Sequence, residues 1–167
     1  MKRQIPFVLL GAFLVSVAAF ILITSQTMPP IVASHFAGDG HANGYMPRIP
    51  FIGLMLAVSI GLPAVIATMQ GILIVIMPAL LSFMPNADYW FAPAQYEGTY
   101  NFLRLHGLCF PAMLSMFLCF MHWQVVKANS LQPPTLSIES VKPAIVLFVA
   151  GLLLWVGAAI FRFVRRN

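Results

Sequence analysis

The run PAIVLFVAGLLLWVGAAIF, residues 143–161, carries no charge, hydroxyl or amide side chain. At 1.5 Å per residue its nineteen residues make a helix of about 29 Å, the thickness of a bilayer's hydrocarbon core. Lys142 stands before it, and Arg162, Arg165 and Arg166 stop it. Three further runs have the same character. Ile5–Ser25 follows Met1-Lys2-Arg3, a long run begins at Phe51 and reaches Phe83, and Phe102–Val126 is closed by Lys127. Only 8% of the 167 residues are charged and 60% are hydrophobic, whereas a soluble domain carries roughly 25% charged residues. Mean hydropathy is +0.91. The chain is expected to be an all-α integral membrane protein in a lipid bilayer. It reads as one membrane domain over 1–167, a bundle of four transmembrane helices at about 5–25, 51–78, 102–126 and 143–161.

The basic start followed by an apolar run resembles a signal peptide. Cleavage near Ser16–Ala19 would leave an apolar mature end, Phe20-Ile21-Leu22-Ile23, so an uncleaved anchor is expected. The net charge of +5 does not point to nucleic acid, because the basic residues cluster at the ends of apolar runs, where they set topology. Four crossings put both termini on one side. With the termini inside, Lys2, Arg3, Arg104, Arg162, Arg165 and Arg166 lie inside and Arg48, Lys127 and Lys142 outside. That asymmetry follows the positive-inside rule and predicts a multi-pass protein of the bacterial inner membrane with both termini cytoplasmic.

Between the first two runs lies Ser34–Arg48, the one markedly polar, glycine-punctuated segment. Asp39-Gly40 and Asn43-Gly44 are turn formers, so an ordered outer loop is expected after helix 1. Candidate binding residues there are His35, Phe36, Gly38, Asp39, Gly40, Asn43, Gly44, Tyr45 and Arg48. His35, Asp39 and His41 are weak metal candidates, since zinc and copper accept nitrogen and oxygen donors, but their spacing matches no recognised motif. No cofactor is expected. The glycines are not a dinucleotide fingerprint, which needs a strand before and a helix after within a βαβ unit. Between the second and third runs, Asn86, Asp88, Tyr89, Trp90, Pro93 and Glu97 form an aromatic segment expected to lie at the membrane surface.

In the later runs, Gly53, Ala57 and Gly61 recur every four residues and would let a neighbouring helix approach closely. His106 and His122 sit toward opposite ends of the third run and read as interfacial. Cys109 and Cys119, about 15 Å apart along a helix, cannot pair with each other. No serine or cysteine occupies a nucleophile motif and no carboxylate pair is spaced as a catalytic dyad, so a non-enzymatic role is expected.

Met28-Pro29-Pro30-Ile31-Val32-Ala33-Ser34-His35-Phe36, followed by Gly38, Gly40, Asn43-Gly44-Tyr45 and Arg48, resembles the signature of the DUF1648 domain over about residues 5–80. That domain is shared with the SdpI-like immunity proteins, which are associated with protection against a secreted toxic peptide. The resemblance matches His35, Gly38 or Gly40, and Asn43-Gly44 where the family usually has Asp-Gly. Pro85-Asn86, Asp88-Tyr89-Trp90, Ala92-Pro93 and Glu97 resemble a recurrent companion segment, although Ala94-Gln95 stands where that segment often has Glu-Arg. The resemblance implies a binding, immunity or signalling module that recognises a peptide, protein or envelope ligand through the outer loop 26–50. A small structural subunit of a larger membrane complex and a metal-dependent site at His35, Asp39 and His41 are the alternatives. A membrane protein or secreted peptide partner and a homo-oligomer are both compatible with the sequence.

Overall fold

The computed structural model describes residues 4–76 and 85–164. Among them, four helical spans are long and apolar enough to cross a membrane: Ile5–Thr27, Arg48–Ile74, Tyr96–Ala128 and Ile138–Val164. Helix α1 is Ile5–Thr24 and ends in a short 3₁₀ turn, Ser25–Thr27. Pro29 and Pro30 then exclude further helix, because proline supplies no N–H to the ladder.

The segment between the first two spans, expected as an ordered loop, is a β-hairpin that adds a two-stranded sheet to the otherwise helical fold. Strand β1 (Ile31–Phe36) pairs antiparallel with β2 (Ala42–Pro47). Val32 opposes Met46, and both pack inward on Met28, Phe51 and Val126. The prolines at either end break helix, and the turn residues between them let the two short strands satisfy each other's main chain.

The second crossing is helix α2 (Arg48–Leu56), a wide π turn over Ala57–Gly61, and helix α3 (Leu62–Ile76). Gly61 and Pro63 are the residues of this run that disfavour a straight helix, and the distortion falls there for a specific reason. Pro63 cannot donate to the carbonyl of Ser59 four residues back. The chain widens instead, and the Leu62 N–H reaches the Ala57 carbonyl five residues back. The Ser59 carbonyl receives the Ser115 hydroxyl at 2.6 Å, fully buried. The expected end of this helix near Pro78 lies outside the described residues.

A short helix α4 (Ala87–Trp90) precedes helix α5 (Tyr96–Asn129), which begins six residues earlier than the apolar run suggested. Helix α6 (Ile138–Val164) likewise starts before the run at Pro143. Both extensions are polar turns that add main-chain hydrogen bonds at the membrane surface without lengthening the apolar stretch. The core sits between α1, α3 and α5, where Leu10, Leu14, Ala67 and Leu108 are buried together. Helix α6 packs against α5 through Phe148 on Phe117 and Trp155 on His106 and Phe110. Between α5 and α6 an apolar groove of about 480 Å³ is lined by Met113, Phe117, Phe120 and Phe148 among others.

Replacing Ser115 by Ala removes a donor from the buried Ser59 carbonyl, a loss of about 1–3 kcal/mol. Ser16→Ala removes an exposed hydroxyl that bonds only its own helix and should change stability by less than about 0.5 kcal/mol. Unfolding both variants in detergent, followed by circular dichroism, checks the difference.

Candidate functional site

The hairpin is clamped at one end of the bundle by contacts from three directions. The Asn129 amide, at the end of α5, bonds both main-chain groups of Ala33: Oδ1 accepts the Ala33 N–H at 2.8 Å and Nδ2 donates to its carbonyl at 2.9 Å. One side chain thus occupies the place of a neighbouring strand. Arg48 donates to the carbonyls of Met28 at 2.8 Å and Gln26 at 3.3 Å, fastening the end of α1 to the start of α2. At the hairpin tip, the Leu136 N–H donates to the Gly40 carbonyl at 2.8 Å, and His41 bridges to Thr135.

Gly40 is required at that tip. Its φ is +90°, and a Cβ there would run into the Leu136 carbonyl oxygen. Gly44 is a second close approach, since a Cβ would come within 2.9 Å of the His35 Cβ. Asp39 Oδ1 accepts the His41 N–H at 3.0 Å, a side-chain-to-backbone turn of the kind Asp favours. Gly40, Gly44, Asp39 and Arg48 therefore build the hairpin. What it presents outward is His35, whose Nδ1 lies 2.6 Å from Asn43 Oδ1, together with the exposed Tyr45 and Gly38. Phe36 is half-buried. His35, Asp39 and His41 are not gathered: among the described residues no three His, Cys, Asp or Glu side chains come together as a metal site.

The aromatic segment divides in the same way. Asn86 adopts the left-handed conformation, φ 57°, and its amide donates to the Phe163 carbonyl at 3.2 Å, which also accepts the Trp90 indole N–H at 3.0 Å. Both side chains thus serve one main-chain carbonyl near the end of α6. Trp90 is buried, with the Arg162 guanidinium 4.6 Å from its ring centre, and its own carbonyl accepts the Thr99 hydroxyl. Asp88, Pro93 and Glu97 are exposed and Tyr89 is half-buried.

His122 does not face the surface of the protein. It is fully buried, stacked on Phe51 and edge-on to Phe20. Its Nε2 lies 2.9 Å from the Thr24 hydroxyl, whose hydrogen is directed at the Phe20 carbonyl at 2.7 Å. The Thr24–His122 hydrogen bond thus joins α1 to α5 through a buried imidazole just beneath the hairpin. His106 is half-buried, flat against Trp155 with ring centres 4.7 Å apart.

Asn129, Thr135 and Leu136 carry the hairpin's attachment and escaped sequence reasoning. The pairings are 94 or 96 residues apart in the chain, and a lone Asn at a helix end gives no sign of its partner. No protein-family model matches the chain, and neither a curated protein nor a solved structure resembles it at a significant level.

Gly40→Ala should loosen the tip from residues 135–136 and raise hydrogen exchange across 31–47. The strain and close contact cost about 1–3 kcal/mol. Gly38→Ala, where a Cβ meets nothing within 4 Å, should leave exchange unchanged.

Proposed function

We propose that this chain is a multi-pass membrane binding module, non-enzymatic, whose hairpin cap recognises a peptide, protein or envelope ligand. The observation that carries the reading is the division of labour in the hairpin. Four of its polar or glycine residues are spent on holding it rigid, while His35, Asn43 and Tyr45 stand outward on a platform that does not need them for its own attachment. A preordered surface of this kind avoids the entropic cost of ordering a loop on binding. The excess of basic residues at the termini side supports an inner-membrane orientation with the hairpin facing outward. The resemblance of residues 28–48 to the DUF1648 signature adds a ligand class, a secreted membrane-active peptide, against which the protein would act as an immunity or signalling factor.

A second reading, a small structural subunit of a larger complex, draws on the exposed Gly53, Ala57 and Gly61, where a neighbouring helix can pack closely. Stoichiometric co-purification of other membrane subunits in mild detergent would favour it.

The recognition reading is tested with His35→Ala and Tyr45→Ala in cells challenged with a secreted membrane-active peptide. Each variant, at unchanged membrane level, should lower protection at least ~10-fold, equivalent to about 1.4 kcal/mol of binding. Full protection by both variants would remove the hairpin from recognition.

A further inference from the structure

We propose that the groove between α5 and α6 is a binding site for one phospholipid of the leaflet on the hairpin side. One acyl chain lies in the groove, and the phosphate meets Lys127 and Ser140 at its mouth. The site is separate from the hairpin and does not rest on the hairpin's role in recognition.

The groove has the depth of one leaflet. Ser140 and Pro143 line one end and Gly151 the other, with Met113, Phe117 and Phe120 facing them from α5. From Ser140 to Gly151 α6 rises about 16 Å, and half of a ~30 Å hydrocarbon core is about 15 Å. Gly151 is also the middle residue of α6 (Ile138–Val164). The groove therefore runs from the membrane surface to the midplane. Below it α6 closes on α5, where Trp155 stacks on His106 and its indole N–H donates to the His106 carbonyl at 2.8 Å.

Width selects the occupant. About 480 Å³ spread over about 16 Å leaves a section of about 30 Å². An α-helix, 10–12 Å across, has more than twice that section. A single extended hydrocarbon chain fits where a helix does not. Ala144 and Gly151 carry too little side chain to fill the space, while the Phe117–Phe148 stack, ring centres 4.6 Å apart, keeps the two helices from closing. The flexible thioether of Met113 suits a mobile chain.

The mouth carries the polar half of the site. Lys127 stands ten residues above Phe117, and Ile138 stands ten above Phe148, the residue stacked on it. Lys127 is thus level with the first turn of α6. It follows Phe120 by seven residues, which places it on the groove's side of α5. Helical side chains lean toward their helix's N-terminus, here into the membrane, and the Lys127 ammonium accordingly lies 6.0 Å from the Trp123 ring centre. Ser137 donates to the Ser140 hydroxyl at 3.0 Å, which leaves the Ser140 hydrogen for a phosphate oxygen. Lys127, Lys142 and Glu139 are the charged residues of these two helix ends, a net positive mouth that complements a lipid phosphate.

The test is photolabelling of the full chain in phosphatidylcholine vesicles carrying a trace of phosphatidylglycerol with a diazirine midway along one acyl chain. Phe117 and Phe120 are half-buried, whereas Leu54 on α2 and Val146 on α6 are exposed apolar residues of the same leaflet. Random collision with lipid would label the exposed pair more. A bound chain should instead label Phe117 and Phe120 at least ~5-fold above that pair, a ratio equivalent to about 1 kcal/mol of preference. Ala144→Phe should fill the groove and bring their labelling down to the level of the exposed pair. Lys127→Gln should lower it ~5-fold, from about 1 kcal/mol per Lys near an anionic surface, and Lys127→Arg should retain it. Wild-type labelling of Phe117 and Phe120 no higher than that of Leu54 and Val146 would overturn the site whether or not the variants fold. Labelling undiminished by Ala144→Phe would do the same. Loss with Ala144→Phe but none with Lys127→Gln would overturn the phosphate contact.

Discussion

A main-chain carbonyl or N–H inside hydrocarbon has no water to turn to, so each one must find its partner within the protein. The structure is organised around the places where helix geometry alone cannot provide that partner. Pro63 deprives the Ser59 carbonyl of its donor, and the bundle answers with a π turn and the Ser115 hydroxyl from α5. Near the end of α6, Asn86 and Trp90 both donate to the Phe163 carbonyl. The hairpin edge beside α5 leaves Ala33 open, and Asn129 closes it. In each case a polar side chain is immobilised to complete another element's main chain. These bonds also fix the helices' relative positions, which apolar contact with lipid-like surfaces does weakly.

The same requirement sorts the polar residues of the outer segment. In sequence they look alike, a run of His, Asp, Asn and Gly. In the fold, Asp39 completes a turn, Arg48 ties two helix ends, and Gly40 and Gly44 permit close approaches. His35, Asn43 and Tyr45 are left to face outward. The turn brings Asp39 to His41 through the main chain, and among the described residues no three His, Cys, Asp or Glu side chains are gathered.

His122 illustrates the limit of reading a span by depth alone. Its place seven residues from the end of α5 resembles an interfacial position. The hairpin, however, lies over that end of the bundle and seals it with Val32, Phe51 and Val126. The imidazole is therefore held dry against Thr24. Within the short aromatic segment Trp90 is an internal anchor, buried with its indole N–H on the Phe163 carbonyl of α6.

The sequence by itself determined the number of crossings, their approximate limits, the site of distortion at Pro63 and the presence of an ordered turn between helices 1 and 2. These are local matters: apolar length against bilayer thickness, proline's missing N–H, and glycine's access to positive φ. Only the tertiary structure decided that the turn is a strand pair and which of its residues are structural. Those outcomes depend on Asn129 and Leu136, about a hundred residues downstream. A hydrogen bond between distant segments is specified by the packing of whole helices, and no local pattern in the chain records it.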